Sequence, residues 1–260
     1  MSDNNNSEIG ADLSLIDHLI ELRNRILKSV LSILVLFLSL FYFSTDIYTF
    51  VATPLMDVLP ENMGMIAIDP TSPFFDPFKL TFYVSLFLAA PYILYQLWSF
   101  IAPGLYKNEK SLAIPLFVSS VLLFYAGIAF AYYVLFGFVF AFFVSVAPEG
   151  IMVTPDINSF LSFALAIFFA FGIAFEIPIA VFLMIWAGIV EPEDLTSKRP
   201  YVIVGCFIVG MMLTPPDPFT QSMLALPMWL LFEVGIFFGR FIKKKQKLKE
   251  QEAEKENDAE

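Results

Sequence analysis

Apolar residues run through this chain in long uninterrupted stretches and not in alternation with polar ones. A helix needs about 20 mostly apolar residues to cross a bilayer, because a rise of about 1.5 Å per residue must cover about 30 Å of hydrocarbon. Six stretches are candidates. They are span 1 near Ser29 to Phe43, span 2 within Leu80 to Phe100, span 3 from Ser111 to about Phe136, span 4 from Ile157 to Trp186, span 5 from Tyr201 to Leu213 and span 6 from Phe219 to Phe238. Continuous runs predict helices, since barrel strands alternate. Spans 5 and 6 are short and are joined by the minimal turn TPPDPF. Such a pair meets the mismatch either by thinning the bilayer or by packing among longer helices, and both readings stand.

Between the spans the pattern changes. Ser14 starts a predicted short helix, with Asp17 as its capping-box partner. Leu15, Ile16, Leu19 and Ile20 fall on one face, and Asp17, Glu21, Asn24 and Lys28 on the other, so this helix is expected to lie on the membrane surface before span 1. The stretch from Ser44 to Pro77 holds five prolines and five acids but no base, which argues against a long helix while allowing short pieces such as Asp46 to Ala52. Twelve of the last 18 residues are charged, and they read as a solvated helical or disordered tail.

Charge orders the spans. With six of them, 14 of the 15 basic residues fall on one side and only Lys79 on the other. The excess of Lys and Arg on cytoplasmic segments then places both termini in the cytoplasm. A seventh span inside the uncharged stretch Ser111 to Pro148 would move Lys198 and Arg199 outside, so Gly137 to Ala147 reads as an aromatic segment at the outer interface. The expected layout is an all-α integral membrane protein with a cytoplasmic N-terminal tail and amphipathic helix (1–24), a six-helix transmembrane domain (25–239) and a charged cytoplasmic tail (240–260). No basic start followed by a short apolar core is visible, so no cleavable signal peptide is expected.

Composition agrees. Apolar residues make up 58% of the 260 and charged residues 15%, against about a quarter in soluble domains. Mean hydropathy is +0.74. The formal net charge of −10 offers no basic face for nucleic acid. One cysteine, Cys206, excludes an internal disulfide and a Cys-based zinc cluster, and one histidine, His18, argues against a His-rich metal site or a Ser-His-Asp triad, so no metal or cofactor is expected. Phosphate-loop, HExxH and GxSxG motifs are missing, and the expectation is a protein that is not an enzyme.

A few polar residues need a reason. Glu176 stands inside FGIAFEIPIA, where a charge costs at least about 2.5–3.5 kcal/mol on insertion scales, so it is either protonated or faces a polar cavity or a partner, or else it only holds the bundle by a hydrogen bond. Pro178 frees the carbonyl of Ala174 and predicts a kink. Glu233 is nearer Arg240 and reads as structural. Glu21 and Glu109 have bases around them, namely Arg23, Arg25, Lys107 and Lys110, which favour ionised carboxylates able to take guanidinium hydrogen bonds. Arg25 lies four residues after Glu21, and spacing alone favours a plain helical ion pair.

At HLIELRNRI, SPFFDPFKLTF, APYILYQLWSFIAPGLYKNEK, AFGIAFEIPIA and MMLTPPDPFTQ the sequence resembles the TatC family, from about Leu13 to Gly239. These are receptor subunits of the twin-arginine protein translocase in bacterial and plastid membranes. The resemblance implies six helices forming a cupped wall in the bacterial cytoplasmic (inner) membrane. It implies binding of the two-arginine motif of signal peptides, with Glu21 and Glu109 contacting the arginines and Arg23 and Phe100 on the same cytoplasmic surface. Pro54, Glu176 and Asp217 match further positions important to the family. It also implies the single-span partners TatA and TatB, self-association in the complex, and transport of folded proteins driven by the proton-motive force. The alternative from another class is a proton- or ion-coupled small-molecule transporter with Glu176 as coupling site. An intramembrane enzyme is disfavoured because no nucleophile–base set is present.

Overall fold

The computed structural model describes residues 3–57, 59, 64–105, 110–146, 148, 154–214 and 217–257. Among the described residues ten α-helices follow in order: α1 Asp3–Leu40, α2 Ser44–Met56, α3 Ser72–Leu105, α4 Lys110–Phe130, α5 Phe136–Ser145, α6 Ile157–Ala174, α7 Ile177–Trp186, α8 Pro192–Ser197, α9 Arg199–Leu213 and α10 Pro218–Asn257. A 3₁₀ turn, Phe41–Phe43, joins α1 to α2, and a π turn, Ala131–Leu135, joins α4 to α5. Among the described residues the only strand-like pairing is one parallel bridge between Ile66 and Asp156.

Five helical runs among the described residues are long and apolar enough to cross a membrane: His18–Met56, Ser72–Phe100, Ile114–Ser145, Ile157–Trp186 and Pro218–Lys245. The shorter apolar helix α9 has 15 residues, a length of about 22 Å at the helical rise. The stretch expected as a short fifth span is therefore helical.

Three local expectations are corrected. The helix placed at Ser14 begins at Asp3 and runs without a break into span 1. From Ala11 to Leu40 there is no Gly or Pro, so nothing ends the turn-by-turn hydrogen bonding between the amphipathic stretch and the span. The aromatic segment after Phe136 is not a separate surface element but continues span 3 as α5 beyond the π turn. Its Phe136 stacks on Phe168 of α6 at 4.9 Å, and Phe140 meets Phe160 at 5.5 Å. The stretch after Ser44 forms a full helix to Met56, longer than the Asp46 to Ala52 piece, and includes Pro54. The charged tail is helical to Asn257.

The chain divides into two compact units. One comprises Met1–Tyr48 and Pro77–Val121. There, α1 meets α3 through long side chains: Phe37 lies edge-on to Phe82 at 6.0 Å and Phe41 stacks on Phe78 at 4.5 Å. Thr81 and Ser85, both buried in α3, donate back to the carbonyls of Pro77 and Thr81 at 2.7 Å each, which satisfies hydroxyls that an apolar setting would penalise.

The other unit comprises Thr49–Asp76 and Leu122–Glu260. Its tightest helix pair is α7 with α10, where Val181, Ile185, Phe232 and Ile236 form a buried cluster. The approach depends on two glycines one turn apart. A Cβ on Gly235 would stand 2.8 Å from Cβ of Val181 and 3.0 Å from Cα of Pro178, and one on Gly239 would collide with the Ile185 side chain. Small residues at this spacing let helix backbones come close where no hydrophobic force distinguishes protein from lipid. Asp156 caps α6 by accepting from the N–H of Ser159 at 3.0 Å and ties in the 64–72 segment by accepting from the N–H of Ile68 at 3.1 Å. Those hydrogen bonds hold its carboxyl below the ordinary carboxylate value.

Candidate functional site

On α1, residues 18, 21 and 25 follow steps of three and four and share one face. That face carries His18, Glu21 and Arg25 opposite the end of α3. Arg25 donates from Nε and Nη2 to Oε1 of Glu21, at 2.9 and 2.5 Å. The same guanidinium reaches α3, where Nη1 donates to Oε1 of Gln96 at 3.2 Å and Nη2 to the Ser99 carbonyl at 3.2 Å. The His18 ring stacks on Phe100 with centroids 4.2 Å apart. Glu21 is 41% exposed at its side chain, and its Oε2 stands 4.0 Å from Nδ1 of His18, beyond a hydrogen bond.

The structure thus brings Glu21 and Phe100 to one place through Arg25 and His18. Arg23 stands two positions from Glu21, on roughly the opposite side of α1; it is exposed and donates to Asn24 Oδ1 at 3.3 Å. Glu109 lies outside the described residues, as does Lys107. Arg25, assigned by spacing only to a helical ion pair, makes that pair and also spans to α3. The i to i+4 spacing signalled the first half; nothing in the sequence pointed to Gln96 and Ser99, 71 and 74 positions away.

The other three candidates belong to the second unit. Glu176 sits half-buried in a break between α6 and α7, with its N–H donating to Ile173 O and its carbonyl accepting from Ala180 N–H, both at 2.9 Å. Pro178 occupies the first turn of α7. Where the kink was predicted, a two-residue turn, Phe175 and Glu176, separates α6 from α7. Glu233 is paired with Arg199 at 2.5 Å, not with Arg240, which donates instead to Thr196 Oγ1 at 2.7 Å. Asp217 caps α10, accepting from the N–H groups of Phe219 and Thr220 at 3.1 and 2.8 Å and from the Thr220 hydroxyl. Burial is the largest single influence on its carboxyl and pushes it up, but the three hydrogen bonds together outweigh that and hold it below the ordinary value.

Pro54 has a consequence in the backbone. Proline has no N–H, so the carbonyl of Phe50, four residues earlier, loses its helical donor. Tyr132, in the π turn, donates its hydroxyl to that carbonyl at 2.8 Å and stacks on the Phe50 ring with centroids 5.2 Å apart. Sequence reasoning did not single out Tyr132, one aromatic among many in an apolar run. Among the described residues no group of three or more His, Cys, Asp or Glu is placed to hold a metal ion.

The model of the TatC family, Sec-independent protein translocase proteins, matches residues 17–227. The chain belongs to the TatC family. It is 59% identical to the Sec-independent protein translocase protein TatC of Escherichia coli strain K12, over 87% of this chain and 88% of that protein. Against the TatC protein of Azotobacter chroococcum mcd 1 it is 58% identical, over 90% of this chain and 92% of the relative. The crystal structure of a twin arginine translocase receptor TatC superposes with a TM-score of 0.78 at 38% identity, covering 86% of this chain and 98% of that one. The TatC family is a component of protein transport and not an enzyme family. Family membership together with several apolar helices makes this chain a multi-pass membrane protein.

Proposed function

We propose that this TatC-family chain is the receptor and core subunit of a twin-arginine translocase. It binds the two-arginine motif of signal peptides, assembles with the single-span partners TatA and TatB and with further copies of itself, and exports folded proteins using the proton-motive force. The observation that carries the reading is the carboxylate of Glu21, held at the junction of α1 and α3 beside Phe100 and already engaged by a guanidinium. A carboxylate so placed has the chemistry to receive a second one. The 14-to-1 asymmetry of bases supports six spans, with α9 as the short fifth, and both termini cytoplasmic; membership of the TatC family supports the bacterial inner membrane as the location.

In this reading Glu109 supplies the second acid, Phe100 flanks the site, and Arg23, on the other side of α1 from Glu21, belongs to the same cytoplasmic surface. Glu176, at its helix break, presents a polar group to a partner's helix, and Pro54 and Asp217 shape the outer side. The test is precursor binding to membranes holding wild type, Glu109→Gln, Glu109→Lys and the double change Glu21→Gln/Glu109→Gln. Each single neutral change should weaken binding, charge reversal should be worse, and the double change should nearly abolish it. Raised salt should weaken wild-type binding, because exposed pairs are screened. Undiminished binding by the double variant at normal protein levels removes both acids from the site. For Glu176, crosslinking to the single-span partners should fall with Glu176→Ala and survive better with Glu176→Gln, while precursor binding stays; equal crosslinking in wild type and Ala leaves that residue a structural role only.

A further inference from the structure

The hydrogen bonds around Arg25 leave Glu21 an asymmetric acceptor. A carboxylate oxygen has two lone pairs. Both donors that Arg25 gives to Glu21, Nε and Nη2, go to the same oxygen, Oε1. The remaining guanidinium donors face α3, at Gln96 Oε1, the Gln96 carbonyl and the Ser99 carbonyl, 3.2, 3.5 and 3.2 Å away. The Arg25 side chain is 20% exposed and fixed between two helices, so it cannot swing aside without giving up contacts on α3. Among the described residues Oε2 accepts no hydrogen bond, and it lies on the side of His18, whose ring stacks on Phe100.

An arginine normally docks on a carboxylate as a fork, with two parallel N–H groups meeting two oxygens. Here Oε1 has no lone pair left for the second tine. We infer that Arg25 is a positioning residue that occupies Oε1 and leaves Glu21 a one-oxygen acceptor, so that Glu21 reads the charge of an incoming cation and not the planar arginine fork. This rests on the proposed role of Glu21 in signal-peptide binding. Lysine, a compact ammonium without a fork, is then a tolerable substitute at the signal-peptide position facing Glu21. Stricter demand for arginine belongs to other parts of the site.

The experiment measures binding of full-length precursor to membranes holding the assembled translocase. Precursors carry arginine, lysine or glutamine at each of the two motif positions in turn. The position facing Glu21 is the one whose arginine-to-glutamine penalty shrinks in Glu21→Gln. In wild type, lysine at that position should cost less than about threefold in affinity. In Arg25→Gln, where Oε1 is released, arginine should be preferred over lysine by about tenfold. Arg25→Lys keeps the positive charge and the helix-to-helix reach but returns one lone pair of Oε1, so the preference should also rise there, to an intermediate value. If Arg25→Gln does not accumulate in the membrane, Arg25→Lys carries the test. The same arginine-over-lysine ratio in wild type and in the Arg25 variants overturns the inference while leaving Glu21 in the site. A rise in Arg25→Gln alone overturns it too, because charge and not fork geometry then sets the preference. Penalties unaffected by Glu21→Gln at both positions remove Glu21 from the site, and this inference with it.

Discussion

The contact of α1 with α3 near Glu21 and the contact of α7 with α10 near Gly235 are both helix pairs, built by opposite means. In the first, one guanidinium and a few aromatic rings reach across, and most of α1 stays uncovered: Leu19, Leu31 and Leu38 are 64%, 59% and 65% exposed. In the second, glycines let backbones approach until Val181 and Pro178 touch the α10 surface, and branched apolar side chains fill what is left. A junction held by charge-assisted hydrogen bonds keeps polar atoms accessible at modest stability, which suits recognition. A junction held by close packing has no room for a ligand and serves as scaffold. Changes at the two places should therefore separate binding from folding.

The largest effect is expected at the packed junction. Gly235→Leu must push Val181 or the α7 backbone aside, and overpacking costs typically about 1–3 kcal/mol, with backbone contact placing this change at the upper end or beyond. The protein should accumulate poorly and melt early in detergent. Arg25→Gln should melt close to wild type while altering precursor binding. Equal melting of Gly235→Leu and wild type would erase the contrast between the two junctions.

Next is the ion pair between Arg199 and Glu233, joining α9 to α10. Breaking a buried pair costs about 3–5 kcal/mol and an exposed one under about 1. With side chains 39% and 23% exposed this pair falls between, so Glu233→Ala should lower stability by about 1–3 kcal/mol. Glu233→Gln retains an acceptor and should lose less. Detergent melting of the two variants, alone and with Arg199→Ala, gives the coupling. Additive losses in the double variant would mean that the pair contributes nothing of its own.

Much of this architecture can be read from residue order, because membrane spans are written as uninterrupted apolar runs. The helix break at Glu176 was signalled by Pro178, and the pair Glu21–Arg25 by its spacing. Contacts between distant segments were hidden. Gln96 and Ser99 are ordinary polar residues near the end of a span, and they matter only because α1 and α3 set them before Arg25. Gly235 and Gly239 in GIFFG have the spacing of a close helix contact, but α7 as the partner is a fact of three-dimensional packing. The aromatic density after Phe136 invited a surface reading because periodicity is invisible when nearly every position is apolar. The π turn between α4 and α5 left no compositional mark.

Asp217 offers a smaller effect with a definite sign. Its carboxyl titrates lower in the folded protein than its ordinary value, so its contribution to stability is fully present above the ordinary carboxylate value and is lost as pH falls through the lower folded one. Asp217→Ala should cost about 1 kcal/mol at neutral pH, the usual value of an N-cap, and Asp217→Asn noticeably less. The difference between wild type and Asp217→Ala should shrink in strong acid. A gap that widens on acidification would show that the capping hydrogen bonds do not favour the ionised form.

The smallest effect is the most specific. Removing the Tyr132 hydroxyl leaves the Phe50 carbonyl without the donor that replaced the missing N–H of Pro54. An intramolecular hydrogen bond contributes about 0.5–1.5 kcal/mol, so Tyr132→Phe should destabilise by that amount, since the ring and its stacking on Phe50 are kept. Pro54→Ala restores a backbone N–H able to donate to the same carbonyl. Tyr132→Phe should then cost less in the Pro54→Ala background than in wild type, and the double-mutant cycle should show a coupling of about 0.5–1 kcal/mol. Helical backbone in α2 and the hydroxyl of Tyr132 compete for one acceptor, and only that competition predicts coupling of this sign. Strict additivity would mean that Pro54 acts through the stiffness of its ring and not through the carbonyl it exposes.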